Sequence, residues 1–208
     1  MSRQYAVFHL QKGSGNGGGL GHHIDRTPGK EHTYPHVKGD RELNLDFTPK
    51  AYQGLSLPQS IVQRLEEGYK GKRAIRKDAV RYVSAMLTGS HDKMREISQD
   101  KNRFKAWIRA NYDFMRQTFG EDNIVRYTVH MDEKTPHIHC VFIPLTSDGR
   151  LSAKEIVGNK KNLEQLQDRY YEQMRLFDME RGIKHTGIKH QPISHYYRVK
   201  ERDRKSVV

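Results

Sequence analysis

The sequence predicts an α+β fold, a five-stranded antiparallel sheet with helices packed on one side. Three observations lead there. The predicted elements run strand, strand, helix, strand, helix, strand hairpin, helix, which is not the regular βαβ alternation of a parallel sheet. Residues 124–131 and 138–145 are rich in β-branched and aromatic residues on either side of a tight connection, Asp132 to Pro136, and read as a hairpin. Two long stretches late in the chain carry apolar residues at helical spacing. Parallel pairing of some strands stays open at this level.

The elements follow in order. Gln4 to Leu10 reads as a first strand, with Tyr5, Val7 and His9 on one face. Gly13 to Gly21 is too glycine-dense for anything but a loop, and without a following Gly-Lys-Ser or Gly-Lys-Thr it is no phosphate-binding Walker loop. Arg41 to Phe47 alternates polar and apolar and reads as a second strand with Leu43, Leu45 and Phe47 inward. Pro58 to Glu67 is a short helix with proline near its start and Gly68 near its end. Ala79 to Leu87 is a third strand. Ser90 to Phe119 is helical, with a break allowed near Gln99 to Asn102, and Gly120 ends it. The hairpin supplies strands four and five. After a turn at Ser147 to Arg150, a long helix runs from Ser152 to about Glu180, marked by Leu163, Leu166, Tyr170, Met174 and Phe177. Residues 1–181 are expected to be one domain, and 182–208 a basic, aperiodic tail or linker to a further C-terminal part.

Composition narrows the function classes. Lys and Arg number 37 against 25 acids, a formal net charge of +12, so a polyanionic partner is the natural expectation. No basic amphipathic helix with an aromatic face stands out, which favours nucleic acid over a membrane surface. A mean hydropathy of -0.91, no apolar run near 18 residues and no signal pattern predict a cytoplasmic protein. One cysteine, Cys140, excludes an intramolecular disulfide.

The chemistry concentrates in the hairpin. His130, His137 and His139 lie within ten residues, together with Glu133. Strand side chains alternate faces, so His137 and His139 point the same way, and pairing across the turn brings His130 to them, while Ile138, Cys140 and Phe142 face the opposite layer. Three neutral imidazoles with open positions suit a divalent transition metal in Lewis-acid chemistry.

The pattern His130-x-Asp132-Glu133-x-x-Pro136-His137-x-His139 resembles the third motif of the Mob/Pre (MobV) plasmid mobilisation relaxases, members of the HUH endonuclease superfamily. His23-Ile24-Asp25-Arg26, after the glycine-rich loop, resembles that family's first motif, His-x-x-Arg. Asn44 resembles its second, and Arg73-Ala74-Ile75-Arg76-Lys77-Asp78-Ala79-Val80 resembles a basic run found between the second and third. The resemblance covers residues 4–145.

It implies a five-stranded antiparallel sheet flanked by helices and a metal-dependent, site- and strand-specific DNA nicking and joining activity at a plasmid or mobile-element origin of transfer. By the same resemblance His130, His137 and His139 hold the metal, manganese first, with zinc, nickel, cobalt or magnesium admitted. His23 is the nucleophile, forming a covalent 5′-phosphate to histidine link, with His22 the alternative. Glu133 accepts from its other ring nitrogen, and Arg26 holds phosphate or loop. Arg73, Arg76, Lys77 and Asn44 are expected to bind DNA, single-stranded or as a hairpin; His32, Tyr34, His36 and the glycine-rich loop are further candidates for base contacts. Family members are longer, so a homodimer through a C-terminal region beyond this chain is also an expectation. Tyr5 and Tyr34 are the rival nucleophiles within the same chemistry, and a non-catalytic, metal-stabilised DNA-binding replication or regulatory protein is the rival function.

Overall fold

The computed structural model describes residues 4–35, 37 and 39–182. Five strands form one sheet: β1 Ala6–Gly13, β2 Leu45–Asp46, β3 Tyr82–Gly89, β4 Ile124–His130 and β5 His137–Phe142. Their order across the sheet is β1-β3-β5-β4-β2, and every neighbouring pair is antiparallel. The hairpin strands β4 and β5 are therefore interior and completely buried.

Helices cover both faces, which corrects the prediction of helices on one side. On one face α1 Gly18–Ile24 and α2 Leu57–Gly68 pack through Ile24, Leu57, Ile61 and Leu65 onto Val125 and Val141. On the other, α3 His91–Gln99, α4 Lys101–Phe119, α5 Ala153–Val157 and α6 Lys160–Met174 close a larger core around Trp107, Tyr127, Phe142 and Tyr170. Strand alternation directs this split, because Tyr127, Val129, Ile138, Cys140 and Phe142 enter the larger core while the intervening residues face α1 and α2. Among the described residues no helix is long and apolar enough to cross a membrane.

Several local predictions differ from the structure. The glycine-rich segment is not all loop: β1 extends to Gly13, and Gly18–Ile24 is helical. A Cβ on Gly21 would lie 2.8 Å from Leu57 Cβ, so glycine there permits α1 to seat directly on α2. The second strand shrinks to two residues after a 3-10 turn at Arg41–Leu43. Leu43, Leu45 and Phe47 are exposed rather than inward, since an edge strand this short has neighbours on one side only. The predicted long helix from Ser152 breaks at Gly158, whose φ of 81° is left-handed, and Asn159 then caps α6. The expected break near residue 100 is real: Asp100 caps α4 through Asn102 and Arg103 N–H.

Candidate active site

The register of β4 and β5 assembles the imidazoles. His130 pairs directly with His137, and Thr128 with His139, so His130, His137 and His139 emerge on the α1 side of the sheet. Their ring centroids lie 4.7–5.1 Å apart. His137 Nδ1 is 2.9 Å from the Thr135 carbonyl and must donate to it, which leaves the Nε2 lone pair facing His139 Nε2 at 3.1 Å. His139 Nδ1 is buried without a hydrogen-bond partner among the described residues.

The turn between the strands is held from three sides. Arg26 donates through Nε and Nη2 to both oxygens of the Asp132 carboxylate at 2.9 Å, through Nη2 to Glu133 Oε1 at 2.7 Å, and through Nη1 to the His23 carbonyl at 2.7 Å. Its Nη2 also lies 2.9 Å from His130 Nδ1. Such a bidentate, enclosed pair is the geometry in which arginine outperforms lysine. Asn44 Oδ1 accepts from the Met131 and Asp132 N–H groups, and Thr88 Oγ1 donates to the Pro136 carbonyl. Arg26 itself has φ 49°, a left-handed backbone that turns the chain out of α1 and aims the guanidinium inward.

α1 delivers His23. Its ring centroid is 5.6 Å from that of His130 and 5.1 Å from that of His139. His23 Nδ1 is 2.9 Å from the Thr33 carbonyl and donates to it, so Nε2 carries the lone pair. The resemblance puts Glu133 in that place; its carboxylate instead accepts from Arg26 and lies 3.8 Å from His130 Nδ1 and 3.9 Å from His137 Nε2. The Thr33 carbonyl is invisible in the sequence because any residue offers one. His22 faces away, with Nδ1 3.2 Å from Thr27 Oγ1.

The electrostatics disfavour charge on three of the rings, His23, His130 and His139. Burial, then the charges of His137 and Arg26, pushes the His130 pKa down to about 3. Burial also holds His139 far below the ordinary imidazole range, and lowers His23 despite the opposing Thr33 carbonyl. Burial acts most strongly, to raise Asp132, but the hydrogen bonds from Arg26 and Asn44 and the Arg26 charge together outweigh it and leave that pKa lowered.

Among the described residues, two overlapping groups of side chains converge closely enough to hold an ion: His23 with His130 and His139, and His130 with Glu133 and His137. The facing Nε2 atoms of His137 and His139 fit a cation held between them better than they fit each other. His130 Nε2 lies 2.9 Å from the Ile24 carbonyl, so ligation through His130 exchanges one of its two present contacts.

The remaining predicted residues lie elsewhere. Arg73, Arg76 and Lys77 are exposed on the loop entering β3, at the strand end away from His137; Ile75 anchors that loop against the α1 and α2 cluster, and Arg76 pairs with Asp78. His32 is exposed on a 3-10 turn. Tyr34 is buried with its hydroxyl donating to the Thr27 carbonyl, and Tyr5 sits beside Glu180 at the far edge of the sheet. His36 and the tail beyond Gly182 lie outside the described residues.

An antiparallel sheet that presents imidazoles from adjoining interior strands, opposite a histidine from an N-terminal helix, defines a HUH-type site. The Mob_Pre family model, described as plasmid recombination enzyme, matches residues 2–198. A type 3 plasmid recombination enzyme of Mammaliicoccus lentus is 41% identical over 159 residues, covering 74% of this chain and 37% of its own length. A type 1 enzyme of Staphylococcus aureus is 36% identical over 178 residues, covering 82% of this chain and 42% of its own. Among solved structures, the MobM relaxase domain, in a manganese-bound complex with plasmid pMV158 oriT DNA, aligns with a TM-score of 0.82 at 28% identity, covering 94% of this chain and 99% of that one. The chain therefore belongs to the Mob/Pre family of plasmid recombination enzymes, and its fold is that of a relaxase domain. It spans roughly two fifths of the length of these curated relatives.

Proposed function

We propose that the chain nicks and rejoins one DNA strand at an origin of plasmid transfer, with a divalent metal and through a covalent 5′-phosphate on His23. One observation carries the proposal: His23 has one ring nitrogen fixed on a carbonyl, its other lone pair available, and its ring 5.1–5.6 Å from two further imidazoles of the cluster. The kinship with a relaxase domain whose structure holds manganese and oriT DNA supports it.

His130, His137 and His139 would hold the ion. When bound, it supplies charge neutralisation at the nonbridging oxygens of a phosphodiester, which otherwise repel a nucleophile. The residues of the chain do the rest. His23 Nε2 attacks phosphorus; a P–N bond forms, the P–O3′ bond breaks, and the departing oxygen takes a proton from water to become a 3′-hydroxyl. The Thr33 carbonyl holds the Nδ1 proton throughout, so the ring stays in the tautomer that attacks. Glu133 offsets the positive charge that the ring acquires, and Arg26 fixes the Glu133 and Asp132 carboxylates while bracing the backbone of His23. Keeping the phosphoryl bond on the ring preserves its energy, so joining to a new 3′-hydroxyl needs no ATP. Arg73, Lys77 and Arg76 would track the phosphate backbone.

The test is incubation with Mn²⁺ and supercoiled plasmid carrying the native mobilisation region. The expected result is open-circular product with a unique nick, a phosphodinucleotide adduct on the His23 peptide by mass spectrometry, and neither with His23→Ala. An adduct on Tyr5, Tyr34 or His22 overturns the nucleophile assignment. Specific DNA binding without any nick establishes the non-catalytic rival.

A further inference from the structure

Beside the histidine cluster, and unused by the chemistry above, a cavity of about 730 Å³ runs along β4. That volume lies in the range of small-ligand sites. Its floor is Thr128 and Arg126, which follow His130 back along the strand on the same face, so the cavity begins one side chain away from the cluster. Asp25 at the end of α1 forms one wall, and Asn44 and Asp46 form another.

Arg126 is a costly residue to place here. It is 4% exposed, yet among the described residues only Nη2 finds partners: it donates to the Leu55 carbonyl at 2.8 Å and lies 3.4 Å from Asp25 Oδ2. Nε is enclosed without a partner among the described residues. A guanidinium has five N–H donors, and burying one this incompletely satisfied costs stability that an apolar side chain of similar volume would not. Asp25 lies at the open rim of the cavity, and its carboxylate is engaged by Arg126 only at long range, which leaves it accessible to a ligand. An under-satisfied guanidinium and an accessible carboxylate, held next to each other in a cleft, suit a ligand edge that both accepts and donates.

The geometry points to Asp25 and Arg126 as the readers of a guanine in the strand that flanks the scissile phosphate, an inference that rests on the nicking function proposed above. Among the four bases only guanine presents a carboxylate with two adjacent donors, N1–H and the N2 amino group, and it offers O6 and N7 to a guanidinium. Bases unstacked from a single strand expose these edges.

The experiment uses the full chain with Mn²⁺ and a pool of single-stranded DNA randomised over a short window, with sequencing of the bound strands. Wild type should enrich guanine at one position by about 5- to 150-fold, the discrimination expected of a bidentate base contact. Asp25→Asn, nearly isosteric, should erase that preference at that position alone and leave the profile elsewhere unchanged; Arg126→Met should do the same. Retention of the guanine preference in Asp25→Asn overturns the assignment. So does a loss of affinity uniform across sequences, which would mark a backbone contact or a structural ion pair. Nicking by wild type with no flanking guanine preference defeats the base pocket alone, whereas a wild-type chain that binds no strand of the pool defeats the nicking proposal and the pocket together.

Discussion

Replacing Arg26 by alanine would test how the turn is held. Asp132 has no exposed side-chain surface, and both of its oxygens accept from the Arg26 guanidinium. Alanine leaves that carboxylate enclosed and unpaired, and removal of one partner of a buried pair costs about 3–5 kcal/mol. The strain at φ 49° is unchanged, because alanine incurs the same left-handed penalty as arginine. For a chain of this size the loss corresponds to a fall of about 6–20 °C in Tm. Urea unfolding followed by the fluorescence of Trp107, the single tryptophan and a fully buried one, reads it directly. The deficit should be full at neutral pH. Asp132 has a lowered folded pKa, so its pairing stabilises above the unfolded carboxylate pKa and is lost as pH falls through the folded value; the variant should therefore approach wild type in acid. Adding Asp132→Asn should recover about 2 kcal/mol of the loss, because a neutral amide costs far less to bury. A loss under about 1 kcal/mol at pH 7, or strict additivity of the two substitutions, would refute the account.

Other expectations follow from the same geometry. Asn44→Ala removes the acceptor of the Met131 and Asp132 N–H groups and should cost about 1–3 kcal/mol, with faster amide exchange confined to residues 131–134. With chelator present, stability should fall as pH drops below the unfolded histidine pKa near 6.5, since His130 and His139 charge in the unfolded chain but not in the folded one; two such rings give a slope of about 2.7 kcal/mol per pH unit, and a urea midpoint that stays flat from pH 7 to pH 5 would contradict their burial as neutral groups. Alanine at Arg73, Arg76 and Lys77 together should flatten the logarithmic salt dependence of DNA binding by about 0.7–0.9 for each phosphate no longer neutralised, with Arg76 contributing least because Asp78 already engages it.

The hairpin was legible because two signals agreed there: β-branched composition on both sides of the turn, and three histidines whose spacing puts them on one face. Arg26 was legible as a motif residue but not as the clamp on Asp132, an interaction across 106 positions that no local pattern encodes. The second strand misled because Leu43, Leu45 and Phe47 alternate as buried residues do, whereas the chain there turns early and keeps only two ladder partners. Helix α1 defied propensity, since three of its seven residues are glycine and its stability comes from Ile24 and the close seat on Leu57. The placement of helices on both faces depends on long-range packing, to which element order is blind.

Gly21 against Leu57 reaches further than packing. The depth to which α1 settles on α2 is decided by a single missing methyl, and His23 rides two residues beyond it on the same short rod. A bulkier side chain there would lift the ring from its neighbours like a shim under a lever, leaving the three hairpin imidazoles in place and detuning the proposed reaction from a spot that touches none of its chemistry.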